Sequence, residues 1–431
     1  MDEVEQNSDC ADSRGRESVA DPGRAVSAFG ALRESNFRRF FVGQTTSVIG
    51  GAMSPLATTF AVLAHGSTSD LGYVLAAGTA PLVIFLLVGG VVADRVGRRR
   101  VMLGADGIRF VGQSLLAAWV LAGTVPLWGF LTLAGISGIG TGLFSPALTG
   151  LVSEVVSDRR LQQANALGGL AASGASILGP ALAGVIVSSS SPGWAIAADA
   201  LSFLVSLVCL SRLRLARRPS RESSSFVREL REGWGEFWAR TWLWVIVIQF
   251  SLCNVVFTAP FYVLGAEIAK QLFGGARAWG IVLACQGAGA IVGGLVMLKY
   301  RPSRPLAVAI ATTYAWALPL FGLAFRLPLE LIAAGSLLGG VAFAVFGTIW
   351  DTTLQRNVPS EVLSRVSAYD WFGSLVLLPV GESAIGPLAR VAGTRDTLLG
   401  AASLLVLAVT VVLFVPAVTS LRSPTGSDAA R

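Results

Sequence analysis

The chain has 431 residues, of which 53% are hydrophobic and only 14% charged, and its mean hydropathy is +0.66. A soluble globular domain carries about 25% charged residues, so this composition belongs in a membrane. The net charge of +7 raises nucleic-acid binding as an alternative, but 31 of the 33 cationic residues are arginine and they gather in short breaks between apolar runs. Topology imposes that distribution, whereas a duplex-binding face does not, so no nucleic-acid partner is expected.

Residues 1–36 are polar, of mixed charge, and lack a short apolar stretch, so they read as a disordered cytoplasmic tail without a cleavable leader. Twelve segments follow, at about 40–64, 71–93, 101–123, 126–152, 163–187, 193–211, 241–266, 278–298, 305–326, 328–352, 366–390 and 397–418. Each is long enough to cross roughly 30 Å of hydrocarbon at about 1.5 Å per residue. None alternates strictly between apolar and polar positions, which disfavours a β-barrel.

The longest break, 212–240, divides the spans six and six. The expected organisation is an N-terminal six-helix bundle at 37–211, a basic linker at 212–240, a second bundle at 241–418 and a short tail at 419–431. In the linker, Phe226, Leu230, Trp234 and Phe237 recur at helical spacing, with Arg228, Glu232 and Glu236 elsewhere on the wheel. That pattern predicts an amphipathic helix in the membrane interface; a solvated linker is the alternative.

Orientation follows from the positive charges. With both termini on one side, 27 Lys and Arg fall on that side, five on the other, and Arg109 within a span. The positive-inside rule therefore predicts cytoplasmic termini. The halves also repeat. Gly89 to Arg100 aligns with Gly293 to Arg304, Phe144 to Asn165 with Phe346 to Ser367, and Gly179-Pro180 with Gly386-Pro387. Such repeats imply two similar bundles with a substrate site between them.

The turn between the second and third spans reads Gly90-Val-Val-Ala-Asp94-Arg95-Val-Gly97-Arg98-Arg99-Arg100. It resembles the major facilitator superfamily loop Gly-x-x-x-Asp-Arg-x-Gly-Arg-Arg at every defined position. Asn36-Phe-Arg-Arg-Phe-Phe-Val-Gly43-Gln44, Ala164-Asn165-Ala-Leu and Leu354-Gln355-Arg-Asn-Val-Pro359 resemble the branch that holds bacterial macrolide-efflux and enterobactin-export permeases. Gly174-Ala-Ser-Ile-Leu-Gly179-Pro180-Ala-Leu-Ala183-Gly184 is similar to the fifth-helix motif of drug:proton antiporters, with Ala183 where that motif has glycine. The resemblance spans about 36–415. It implies an all-α membrane protein of twelve transmembrane helices in two pseudo-symmetric six-helix bundles, sited in a bacterial cytoplasmic membrane, with a monomer expected.

The resemblance also implies roles. Gly90, Asp94, Arg95, Gly97 and Arg98 would form the inner gate, with Asp94 accepting from a neighbouring helix N-terminus or from an arginine such as Arg365. Gly174, Gly179, Pro180 and Gly184 would let another helix approach closely. By family position, Gln44, Gln249, Asn254 and Trp350 would line the cavity.

The residues add their own evidence. Ionisable groups inside spans are costly and face a bundle interior or a wet cavity. Glu382 lies near the middle of the eleventh span, among Pro379, Gly381, Gly386 and Pro387, and is the candidate to load and release a coupling proton. Asp106 and Arg109, three apart on the third span, read as a buried charge pair near its inner end. Asp199 faces either an outer vestibule or a polar network, and Asp351 belongs with the gate. No phosphate-binding loop, catalytic His/Glu constellation, metal-ligand cluster or disulfide spacing occurs, and Cys10, Cys209, Cys253 and Cys285 are scattered. The expected function is ATP-independent, cofactor-free export of an amphiphilic small molecule, driven by protons. A nutrient importer on the same fold and a non-transporting scaffold are the alternatives.

Overall fold

The computed structural model describes residues 30–123, 125–214 and 234–421, and these are almost wholly helical. The helices are α1 (Ser35–His65), α2 (Thr68–Val96), α3 (Arg98–Leu121), α4 (Leu127–Val155), α5 (Leu161–Ser189) and α6 (Pro192–Ser211), followed by α7 (Thr241–Leu272), α8 (Ala276–Lys299), α9 (Pro305–Ala324), α10 (Leu329–Asn357), α11 (Arg365–Ala392) and α12 (Thr394–Leu413). Eleven of these described helices are long and apolar enough to cross a membrane. The exception is α3, at which the expected count of twelve is left open. It is long enough, but Asp106, Arg109 and Gln113 lie within it and lower its hydropathy. The first 29 residues, most of the linker and its expected amphipathic helix, and 422–431 lie outside the described residues; so does Cys10. The other three cysteines are free thiols.

Pairing repeats with an offset of six helices. α2 packs on α4 as α8 packs on α10, and α3 packs on α6 as α9 packs on α12. Two further pairs, α5–α8 and α2–α11, join the first six helices to the second six. This is the pseudo-two-fold arrangement that the internal repeats predict.

Glycine sets how closely these helices approach. A Cβ at Gly138 of α4 would lie 2.0 Å from the Gly78 carbonyl oxygen of α2, and one at Gly289 of α8 would lie 1.9 Å from that of Leu337 in α10. Without a strong hydrophobic drive between helices in lipid, such close van der Waals contact is what holds a bundle.

Three expected spans are not uniform helices. A 3₁₀ turn, Thr313–Trp316, interrupts α9, and α11 breaks between Leu375 and Leu378, just before Pro379. In α7, Asn254–Thr258 and Pro260–Leu264 are wide π turns around a proline that cannot donate a backbone hydrogen bond. By contrast, α1 stays helical across its internal Pro55.

Introducing a methyl group at Gly289 should destabilise the protein by about 1–3 kcal/mol, the usual range for overpacking. The same change at Gly347, where a Cβ meets nothing within 4 Å, should be nearly neutral. Thermal unfolding of G289A and G347A in detergent checks the contrast.

Candidate functional site

The helix ends define two faces. The start of α1, the α2–α3 turn, the end of α6 and the start of α7 lie on one, with most of the arginines; the α1–α2 and α7–α8 turns lie on the other. On this far face the halves meet. A Cβ at Gly72 in α2 would come within 2.2 Å of the Glu382 carbonyl oxygen, and one at Gly386 within 2.5 Å of the Ser69 Cα. On the second seam, Gly184 of α5 would meet the Ala276 carbonyl, and Gly280 of α8 the Pro180 carbonyl at 2.7 Å. Lys270 donates to the Leu63 carbonyl across the same face.

Toward the arginine-rich face the seams part. Gly280, Gly287 and Gly294 share one side of α8 at heptad spacing. Gly287 still abuts Ser176 of α5, while a Cβ at Gly294 would meet nothing within 4 Å, as would one at Gly169 in α5. On the other seam, a Cβ at Gly90 would touch only Pro146 of its own half. Among the described residues, the halves are in contact on the far face and part toward the arginine-rich one.

Between the halves lies a cavity of about 360 Å³. From the first half it takes Ala52, Pro55 and Leu56 of α1 with Ser176 and Pro180 of α5. The second half supplies its aromatic and amide wall, including Asn254, Phe257, Thr258 and Tyr262 of α7, Gln286 of α8, Trp316 of α9 and Phe343 of α10. Phe257 and Trp316 stack with ring centroids 5.3 Å apart, and Trp316 donates through Nε1 to the Gly339 carbonyl at 3.1 Å, which fixes the indole. Asn254 donates to the Ser374 carbonyl at 3.0 Å, and Tyr262 Oη lies 3.2 Å from Gln286 Oε1. The wide turns of α7 carry Asn254, Thr258 and Tyr262 into this wall. Among the described residues, no side chain lining the cavity carries a formal charge.

Of the expected cavity residues, Asn254 is in this wall. Gln249 is buried inside the second half, with Nε2 3.1 Å from Cys253 Sγ. Trp350 is also internal, donating to Asp370 Oδ2 at 2.9 Å. Gln44 sits nearer the arginine-rich end of α1, with an unpartnered Oε1. Asp199 lies inside the first half and is 1% exposed, so it faces no vestibule. Family position gave depth along each helix, but the rotation of the helix decides which side chain reaches the cavity. Tyr262, Gln286, Trp316 and Phe343 were missed; Pro260 inside an apolar span was the one sequence signal for the disturbed turns that present Tyr262.

Glu382 is 5% exposed at the α11–α2 seam, near the Thr79 hydroxyl of α2, and its Oε2 has no partner. It lies on the far-face side of the break in α11. Asp106 and Arg109 form their ion pair, but at the middle of α3 and not near its end. Ser206 of α6 donates to Asp106 Oδ2 at 2.6 Å, and the Arg109 guanidinium lies 4.3 Å from the Phe144 ring centroid and 4.4 Å from that of Phe203.

The expected gate loop turns at Gly97, where φ is +99°. Arg98 donates to the Gly150 carbonyl at 2.9 Å and to Glu154 at 3.0 Å, both in α4, while Arg95 is exposed. The side chain of Asp94 lies outside the described residues. Arg99 donates to the Leu210 carbonyl at 2.8 Å, satisfying the end of α6. The antiporter motif splits: Gly179 packs on Ala52 of α1 and Gly184 on α8, but a Cβ at Gly174 would meet nothing within 4 Å. Asp351 is exposed near the arginine-rich end of α10.

Two pseudo-symmetric sets of helices closed at one face around a shared internal cavity are the architecture of the major facilitator fold. The family profile described as "Transmembrane secretion effector" matches residues 26–425, and the chain belongs to that family. It is 25% identical over 391 residues to the multidrug efflux pump Tap of Mycolicibacterium fortuitum, covering 86% of this chain and 93% of that one. It is 23% identical over 355 residues to macrolide efflux protein A of Streptococcus pyogenes, covering 80% and 87%. Against the enterobactin exporter EntS of Shigella flexneri the values are 25% over 350 residues, covering 77% and 79%. Among solved structures, a mutant of the nucleoside transporter NupG superposes with a TM-score of 0.71 at 13% identity, covering 88% of this chain and 99% of that one. That likeness establishes the fold.

Replacing Arg109 with Met should cost about 3–5 kcal/mol by leaving Asp106 buried without its partner. The double variant D106N/R109M should recover much of that loss, which unfolding of both proteins in detergent will measure.

Proposed function

We propose that the protein is an exporter of neutral or weakly charged amphiphilic molecules, working by alternating access and driven by inward proton movement. The observation that carries this reading is the cavity shared by the two halves, sealed on the far face and accessible from the arginine-rich one. If the positive-inside rule sets the orientation, the arginine-rich face is cytoplasmic and the described state is inward-facing. The halves, 37–211 and 241–418, would then rock about the cavity, separating the Ser69–Gly386 and Gly184–Gly280 contacts to release cargo outside.

The cavity wall supports the cargo class. Aromatic faces suit planar apolar groups, while Asn254, Thr258, Tyr262 and Gln286 offer hydrogen bonds that orient them. An uncharged wall gives a strongly ionic cargo no counter-charge. The efflux functions named for the relatives point in the same direction of transport. Glu382 is the coupling site in this reading. Its carboxyl lies where α2 and α11 must separate, so gaining or losing a proton there changes the cost of parting the seam.

Inverted membrane vesicles with an acid interior test the reading directly. Nile red, a neutral planar dye, should accumulate under the gradient, and E382Q should fall toward the level of vesicles lacking the protein. Accumulation that E382Q leaves intact would remove Glu382 from the coupling step; uptake in the opposite direction would make the protein an importer.

A disulfide between cysteines introduced at Ser69 and Gly386 should hold the far face shut. Transport by S69C/G386C, in a background without the native cysteines, should stop on oxidation and return on reduction.

A further inference from the structure

Asp199 has no role in the reading above, yet it is one of the most enclosed charged groups in the described chain. It sits on α6, 1% exposed, and its Oδ2 has no hydrogen-bond partner. The hydroxyl of Ser54 on α1 lies near its carboxyl, while Ser202 Oγ on α6, 3.5 Å from that carboxyl, donates to the Asp199 backbone carbonyl at 2.7 Å. Gln113 of α3 donates to Ser54 Oγ at 3.0 Å, so the single hydroxyl proton of Ser54 is free to point to Asp199.

The charges around it do not balance. From α3 it faces Arg109, which is already paired with Asp106 and has an unpartnered Nε. From α1 it faces Gly50 and Ser54, and its own helix adds Ser202. None of these three titrates. α4 and α6 cover Arg109 with the rings of Phe144 and Phe203. Two carboxyls therefore share one guanidinium in a buried site. Arg109 and Ser206 both serve Asp106, which leaves the surplus negative charge on Asp199. A buried carboxylate without a counter-charge is costly, and one proton removes that cost.

The site is one helix away from the cavity. Gly50 and Ser54 face Asp199, whereas Ala52, Pro55 and Leu56 line the cavity. A Cβ at Gly50 would fall 2.2 Å from Ser202 Oγ, so α1 lies directly on α6 there. Pro55 cannot donate to the carbonyl of Gly51, which makes this stretch the easiest part of α1 to bend.

We propose that Asp199, backed by Arg109, is a second proton-binding site, housed in the first half of the chain and linked to the cavity through residues 50–55 of α1. Its part in the transport cycle rests on the proton-driven reading above, whereas its occupancy by a proton can be tested without transport. Infrared spectra of the purified protein, recorded across a pH titration, report the carbonyl stretch of protonated acids. Carboxyl-labelled [¹³C]aspartate should shift one such band, D199N should abolish it, and E382Q should leave it in place. Adding Nile red should move the same band, because cargo and proton act on opposite sides of α1.

If D199N does not fold, S54A replaces it; losing the hydroxyl partner should shift the band without abolishing it. A spectrum with no protonated aspartate band, or one that neither D199N nor S54A alters, overturns the proposal. A band that vanishes only in E382Q overturns it too, while leaving the Glu382 reading in place. A band that Nile red leaves unmoved removes the link to the cavity.

Discussion

Backbone pressed directly against backbone is the contact on which this molecule depends. At Gly72, Gly184, Gly280 and Gly386, one half rests on the other with no side chain between them. Van der Waals contact of this kind is strong when shape matches and loses roughly a quarter to a half of its strength across a gap of about 0.5–1 Å. The far-face seal is thus firm while shut and has few directional bonds to break when it opens. Of the ion pairs, Arg98–Glu154 and Arg109–Asp106 lie within the first half, Arg160–Glu34 ties it to the residues just before α1, and Arg240–Glu236 sits at the end of the linker, so none of these four bridges the halves. Charge ties elements within each part, whereas glycine sets the contacts between them.

The arginines of the α2–α3 turn show how one residue type meets two requirements. Their number on one face fits the topology rule. In the fold, Arg98 also ties α3 to α4, and Arg99 satisfies the carbonyl end of α6. A helix end at a membrane surface leaves carbonyls without partners, and a long cation can reach them while its charge stays in the interface. Arg39 does the same for the Arg212 carbonyl, 3.2 Å away.

The sequence made the architecture legible because hydrocarbon thickness fixes span length, arginine counts fix sidedness, and the Gly90 to Arg99 motif is specific to one superfamily. It did not make the cavity legible. Gln249 and Trp350 lie at depths that suit a binding site, but their helices turn them inward to Cys253 and Asp370. Periodicity gives a helix its apolar face in soluble proteins; here lipid, core and cavity are all apolar enough that rotation leaves little trace in composition. Asp106 and Arg109 were readable as a pair from their spacing alone. The link from Ser54 through Asp199 to that pair was not, because it joins three helices that are distant in sequence.

The cavity is chemically lopsided. Its rings and amides come from α7 to α10, while the first half offers it alanine, proline, leucine and a single hydroxyl. The densest buried charge of the first half, around Arg109, sits behind α1, out of the cavity's reach. In the proposed reading, recognition and the buried charges of the first half would occupy separate stretches of one polypeptide. Mutations between residues 254 and 343 would then change what is carried without rewriting the charged core behind α1. A lineage built this way could diversify its cargo while inheriting those charges unchanged.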